Sequence, residues 1–359
     1  MRLALRQAVR AQGRTSPNPL VGAVIVKDGA VVATGYHRKA GTPHAEINAI
    51  AKALPELITG ATLYVTLEPC SHYGRTPPCC EAVFQCGISR VVVGMTDPNP
   101  LVAGQGIRYL QDRGIEVVSG VLNEDCQRVN RHFCHWITSG KPWVIMKAGL
   151  SLDGRIAARS GHSGWITNEM SRRYVHQLRD RVDAILVGIG TALADNPSLT
   201  TRLPGRNHRD PLRVVLDRDL RLVPEARMLA QQSTAQTLVC CGPKADPDRA
   251  AALEAAGAVV LPIGLGGDGL LNLHEVLFYL GRRQITSVLV EGGSRVHCSF
   301  WSQGLVNQVN LFYGPLILGA DGTPLISALG LDRVDQAPRL TSIHHRRFGD
   351  DLMIEGLVG

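Results

Sequence analysis

A histidine at 44, a glutamate at 46 and cysteines at 70 and 79 are the side chains here best suited to chemistry. They stand in two stretches, HAEINAI (44–50) and LEPCSHYGRTPPCC (67–80). Zinc takes Cys, His or carboxylate ligands in a tetrahedron, and a catalytic zinc leaves one position to water. His44, Cys70 and Cys79 offer three such donors. At the start of a helix His44 can ligate while Glu46, two residues on, reaches the water. Pro69 disfavours helix at Glu68 and suits a turn that presents Cys70. The arrangement follows the zinc-deaminase pattern H-x-E then P-C-x-x-C, whose Glu is general acid/base and not ligand. The order is kept but the spacing is not, since eight residues separate Cys70 from Cys79. Cys80 is an alternative ligand to Cys79. The other six cysteines are read as ordinary packed thiols and His72 as a loop residue, the usual fate of such side chains.

The elements that must position these groups can be read from patterning. MRLALRQAVRAQG is too short and too charged for a secretory signal. It reads as an amphipathic helix with Leu3, Leu5, Ala8 and Val9 on its buried face. Residues 20–36 form two Val-rich runs around Asp28-Gly29, a strong hairpin signal. HAEINAIAKAL repeats Ala at 45, 49 and 53 and pairs Ile50 with Leu54, a helical period. ATLYVTL, RVVVGM and IEVVSG are strands, residues 104–114 a short helix, and LNEDCQRVNRHFCHWIT a closing helix. Strands alternating with helices imply a layered α/β sandwich. The break Ser139-Gly140-Lys141-Pro142 divides the chain into domains 1–140 and 141–359. A second α/β pattern follows. Its strands are WVIMKAGLSLDG, DAILVGIGT, RVVLD, TLVCC, AVVLPI, SVLVEGG, QVNLFYGPLIL and DLMIEGLVG. Residues 171–181 and 246–256 are helical, and 223–234 and 264–269 are loops.

Composition narrows the function class. The 359 residues exceed one ordinary core, so two domains are expected. No apolar run is long enough to span a bilayer. The nine cysteines are odd in number and scattered, which argues for cytoplasmic thiols rather than a disulfide framework. The net charge of +7 is dispersed and aromatics are only 5%, against a nucleic-acid groove and in favour of a small phosphorylated ligand.

Three motifs then carry a family resemblance: PCSHYGRTPPC (69–79), PNPLVGAVIV (17–26) and DPNPLVAGQG (97–106). With them the chain resembles, from end to end, the RibD family of bifunctional riboflavin-biosynthesis deaminase–reductases. In that family the longer gap between the two cysteines is the norm, with the ligand at the first Cys of the pair. The resemblance implies an N-terminal cytidine-deaminase-like α/β/α sandwich and a C-terminal dihydrofolate-reductase-like α/β domain. It implies one zinc per chain on His44, Cys70 and Cys79, with Glu46 as proton shuttle. The implied substrate is 2,5-diamino-6-(5-phosphoribosylamino)pyrimidin-4-one, which loses its 2-amino group. Asn18, in the PNP turn, could hydrogen-bond the base, although Asn between prolines is also good turn chemistry.

In the second half, VEGGSRVHCSF (290–300) reads as strand, Gly pair and helix, a junction that suits a phosphate but is not G-x-G-x-x-G. KAGLSLDGRIA (147–157), SGWIT (163–167), GIGTALADNPSLTTR (188–202) and VEGG (290–293) match the family's reductase domain. That match implies NADPH around Gly149, Trp165, Thr191, Asp195, Gly292, Gly293 and Ser294. It implies substrate around Ser163, Arg179, Leu199, Arg202 and Glu291. Arg179 and Arg202 are the forked cations one would choose for a ribose 5-phosphate. Lys147 could polarise the substrate or hold a phosphate. Asp195 could instead be a cap and Trp165 a core aromatic. The implied reaction is hydride transfer from NADPH to C1 of the ribosyl group of 5-amino-6-(5-phosphoribosylamino)uracil, opening it to ribityl. The partners implied are small molecules and further copies of the chain, with no nucleic acid and no membrane. The competing readings are a deaminase with a non-catalytic C-terminal domain, a nucleic-acid base deaminase, and a structural zinc clip. The last normally needs four protein ligands.

Overall fold

The structure, a computed structural model, describes residues 1–73, 77–205 and 208–359. Residues 74–76 of the PCSHYGRTPPC stretch therefore lie outside the described residues. The chain forms two compact units, Met1–Lys141 and Pro142–Gly359. Among the described residues no helix is long and apolar enough to cross a membrane.

The first unit runs α1 (Arg2–Ala8), β1 (Gly22–Lys27), β2 (Ala30–Tyr36), α2 (Ala45–Ile50), α3 (Pro55–Ile58), β3 (Thr62–Leu67), α4 (Cys79–Gln85), β4 (Arg90–Met95), α5 (Gln105–Gln111), β5 (Glu116–Val118), α6 (Asn123–Val129) and α7 (Arg131–Ser139). The strand order is β2-β1-β3-β4-β5. β1 is antiparallel to both neighbours, whereas β3, β4 and β5 are parallel. Consecutive residues of β1 and β4 are buried, so both faces of the sheet are covered. The β1–β2 hairpin turns at Asp28-Gly29, both at positive φ, as the sequence led one to expect.

Two glycines set how closely helices approach this sheet. A Cβ on Gly22 would lie 1.9 Å from the Ala4 carbonyl oxygen. So α1 meets β1 through Ala4 and Ala8, leaving Leu3 and Leu5 half-buried and Val9 exposed, which corrects the expected face. A Cβ on Gly35 would lie 2.2 Å from the Ala45 carbonyl oxygen, and Ala45 and Ala49 are fully buried on that contact. α2 ends at Ile50 rather than running on to Leu54. Leu54 stands before Pro55, which forces it into an extended, exposed conformation. The expected closing helix is two helices, because Asn130 between them turns its amide to the backbone of Leu20.

The second unit runs β6 (Trp143–Leu150), β7 (Arg155–Ala157), α8 (Glu169–Arg181), β8 (Ala184–Gly188), α9 (Ile189–Asp195), β9 (Leu212–Leu216), α10 (Arg227–Ala230), β10 (Thr237–Cys241), α11 (Pro247–Ala255), β11 (Ala258–Pro262), α12 (Leu273–Arg282), β12 (Ser287–Val290), α13 (Ser294–Ser302), β13 (Gln308–Tyr313), β14 (Thr323–Pro324), β15 (Leu340–Phe348) and β16 (Asp351–Val358). Its large sheet has the order β11-β10-β9-β8-β12-β6-β13-β16-β15. β11 through β13 in that order are parallel, and β16 and β15 close one edge antiparallel. The short α10 interrupts what was expected as a loop. β15, LTSIHHRRF, has no alternation to reveal it, since the strand is exposed along nearly all its length and exists by pairing with β16.

Gly35→Ala should lower the unfolding midpoint of the first unit, by an overpacking cost of about 1–3 kcal/mol. Thermal unfolding checks this, and an unchanged midpoint would mean that α2 does not rest on that contact.

Candidate active sites

In the first unit His44 is the N-cap of α2, Cys70 follows β3, and Cys79 opens α4. Strand end and helix starts bring the three ligand atoms within 4.8 Å of one another. His44 Nδ1 stands 3.2 Å from Cys79 Sγ and 3.6 Å from Cys70 Sγ. Tetrahedral zinc at ordinary bond lengths would place nitrogen and sulfur about 3.6 Å apart, so this donor set fits zinc. The Cys79 hydrogen bond, and then His44, hold the Cys70 thiol below its usual range, while Cys79 is pushed up. One negative charge is thus shared between two sulfurs, and a dication held there would let both ionise. Cys80 is fully buried in the apolar core and is not part of the cluster. All nine cysteines are free.

Glu46 lies in the first turn of α2 and is 3% exposed. Burial, then the charge on Cys70, push its carboxyl up to about 7, with His44 opposing. A group near neutrality can both take and return a proton. His37, which sequence reasoning missed, links Asn18 to this site. Its Nε2 is 3.1 Å from Asn18 Nδ2 and its Nδ1 is 3.2 Å from the Pro43 carbonyl oxygen. Its ring meets His44 edge to face with centroids 5.3 Å apart. No motif flags His37; only the return of β2 places it there.

In the second unit the parallel neighbours β8, β12 and β6 end side by side, the usual place for a ligand in such a sheet. Lys147 and Gly149 lie on β6, Thr191 on α9 after β8, and Glu291 and residues 292–294 follow β12. A Cβ on Gly293 would lie 3.5 Å from Thr191 Oγ1, and one on Gly149 would lie 3.5 Å from Thr167. The Ser294 hydroxyl is buried and has no hydrogen-bond partner. Glu291 takes Arg179 in a fork, Nε to Oε1 at 2.8 Å and Nη2 to Oε2 at 3.1 Å, and Lys147 Nζ at 3.2 Å. Burial opposes ionisation of Glu291. Arg179 and then Lys147 outweigh it and hold the carboxyl well below its ordinary 4.5.

Arg179 also donates to the Thr200 carbonyl at 3.1 Å, and the Arg202 N–H donates to His176 Nδ1 at 3.2 Å. Burial, then Arg179 and Arg202, hold His176 down to about 4, so its Nδ1 is free to accept. Among the described residues no carboxylate pairs with the exposed Arg202 side chain, whose neighbouring charges are Arg179 and Arg227. The Leu199 side chain is packed in the core, leaving only its backbone for a ligand. Trp165 is not a core aromatic: it is 77% exposed beneath the Arg172 guanidinium, beside a cleft of about 430 Å³. Ser163 and Asp195 are exposed, and Asp195 ends α9 before Asn196 in the left-handed conformation.

Comparison with known proteins places this geometry. The RibD C-terminal domain matches residues 142–354. The cytidine and deoxycytidylate deaminase zinc-binding region matches residues 1–95. The riboflavin biosynthesis protein RibD of Actinobacillus pleuropneumoniae is 42% identical over 360 residues, 100% of this chain and 94% of that protein. The chain belongs to the RibD family. Its fold is that of Acinetobacter baumannii RibD, with a TM-score of 0.90 at 35% identity, covering 100% of this chain and 97% of that one. A Thermotoga maritima structure described as a diaminohydroxyphosphoribosylaminopyrimidine deaminase/5-amino-6-(5-phosphoribosylamino)uracil reductase superposes at 0.86, with 37% identity and the same coverage. The chain is thus a bifunctional RibD-type enzyme of riboflavin biosynthesis, with a zinc-binding deaminase domain and a reductase domain.

Glu291→Gln would leave buried cations uncompensated, at a cost of about 3–5 kcal/mol. Because the folded-state pKa is depressed, the contribution of Glu291 is complete above its ordinary 4.5 and is lost as pH falls through the folded value. Unfolding midpoints measured against pH should therefore show a shallower acid limb in Glu291→Gln. An unchanged slope would remove the ion pair from that role.

Proposed function

We propose that residues 1–140 deaminate 2,5-diamino-6-(5-phosphoribosylamino)pyrimidin-4-one. Residues 141–359 then reduce the resulting 5-amino-6-(5-phosphoribosylamino)uracil with NADPH. The observation that carries the first half is the cluster of His44, Cys70 and Cys79 beside a buried Glu46. Bound zinc supplies a Lewis acid and an acidified water. Glu46 takes a proton from the attacking water and returns it to the departing amine, so that ammonia leaves and a carbonyl replaces the amino group. Asn18, held by its contact with His37, is assigned to hydrogen-bond the pyrimidine.

For the second half, support comes from the convergence of β6, β8 and β12 and from the uncompensated Arg202. Bound NADPH supplies the hydride. Gly149, Trp165, Thr191, Asp195, Gly292, Gly293 and Ser294 are assigned to orient that cofactor. The backbone N–H groups at the start of α13 and the unpartnered Ser294 hydroxyl suit its phosphates. Arg202 is assigned the ribose 5-phosphate. Arg179 and Glu291 hold the segment that carries it, along with Leu199, and Lys147 and Ser163 are assigned to the substrate. The nine free thiols suit a reducing cytoplasm.

Purified protein of measured metal content should release ammonia from the first substrate, then oxidise NADPH. If folded, metal-loaded protein given the deaminated substrate oxidised no NADPH, the reductase half would fall. Glu46→Gln should keep its zinc and lose about 10²–10⁴-fold in deamination while reduction persists. Arg202→Ala should weaken the phosphorylated substrate by about 1.5–3 kcal/mol and NADPH by less. Equal losses in the two KM values would take the phosphate away from Arg202.

A further inference from the structure

Glu68, two residues before Cys70, is 5% exposed. Its backbone N–H donates to the Met95 carbonyl at 2.9 Å, a last rung between the ends of β3 and β4. Its carboxylate accepts four backbone N–H groups. Oε2 takes Asp97 at 3.1 Å and Gly104 at 2.9 Å, and Oε1 takes Gly106 at 2.8 Å and Ile107 at 3.2 Å. The four donors span the DPNPLVAGQG stretch and the first turn of α5. A second contact closes the same joint from the other side. A Cβ on Gly106 would lie 2.0 Å from the Pro69 carbonyl oxygen, so the start of α5 rests on the peptide leading into Cys70. Cys70 itself is held by α4: its carbonyl accepts the Cys80 N–H at 3.2 Å and its sulfur accepts the Cys79 N–H at 3.3 Å.

We propose that Glu68 is a positioning residue for deamination. Its carboxylate clamps residues 97–107 to the Pro69 peptide, and this fixes where the Cys70 sulfur stands relative to Cys79 and His44. The inference rests on the metal reading of those three residues. Both carboxylate oxygens must accept, and each already serves two donors. Glu68→Gln would turn an NH2 group toward two backbone N–H groups. Gly106→Ala would push mainly on the Pro69 carbonyl, with Glu68 Cγ next at 3.3 Å, and so strain the joint while leaving the carboxylate itself in place. Partners that orient a metal ligand typically carry about 10–100-fold in metal affinity or activity.

The test compares full-length unmodified protein, Glu68→Gln and Gly106→Ala, each loaded with zinc or with cobalt(II). Four quantities are measured: metal removal by a chelator, the ligand-field absorption of the cobalt form, NADPH-dependent reduction, and thermal unfolding. Both variants should release metal about 10–100-fold faster, shift the cobalt bands, and keep reduction unchanged. Glu68→Asp, which keeps the charge but falls one methylene short, replaces either variant that fails to fold and should show the same signature. A lower unfolding midpoint with unaltered cobalt bands and unaltered metal release would show that Glu68 serves only the fold, overturning the inference. Unmodified protein that takes up neither metal would overturn the metal reading and this inference with it. Metal-loaded unmodified protein matched by its variants would overturn this inference alone.

Discussion

A strand that ends leaves its last backbone N–H and C=O groups without ladder partners, and buried groups of that kind must be satisfied. Both candidate sites of this chain lie at such strand ends. Buried polar side chains supply the missing partners. Glu68 takes four N–H groups after β3. Asn130 pairs with both backbone groups of Leu20 ahead of β1. Asp351 accepts the Asn168 N–H and the Ser171 hydroxyl where the Trp165 loop enters α8. Asp183 accepts from Thr286 and Arg209 where β8 and β12 begin. Short polar side chains fastened to backbone hold loops more rigidly than apolar packing could, because a hydrogen bond has direction.

The two sites use charge differently. At His44, Cys70 and Cys79 one imidazole and two thiols are collected into a donor set that would be balanced by a metal ion. At Glu291 the balance is already struck between one carboxylate and two cations, and what stays open is the outer guanidinium of Arg202. The first arrangement suits hydrolysis at an activated water. The second suits anchoring an anionic substrate while a cofactor does the chemistry.

Much of this was legible in the residues. Asp28-Gly29 announced its hairpin because only residues tolerant of positive φ close a two-residue turn. His44, Cys70 and Cys79 announced a cluster of metal-type donors, with Glu46 beside it, because few other uses need those types in that order. Less legible were the depth of helix packing and the extent of edge strands. Ala4 lies deeper than Leu3 because Gly22 is opposite it, and no periodicity reports what lies opposite. β15 carries a polar, irregular sequence because an edge strand exposed on both faces needs none of the alternation that marks a half-buried one.

By itself the sequence determined the family, the two-part α/β organisation, and the donor types for a zinc-dependent deamination and a reduction. These follow from local composition and motif order, which survive without coordinates. Only the tertiary structure decided that Cys80 points into the core while Cys79 faces His44. It alone turned the fork of Arg179 onto Glu291, set His37 between Asn18 and His44, and closed Glu68 on the 97–107 loop. Each of these joins residues distant in the chain. Such pairings are set by which strands lie side by side and how closely helices approach them, quantities that no short stretch of residues contains.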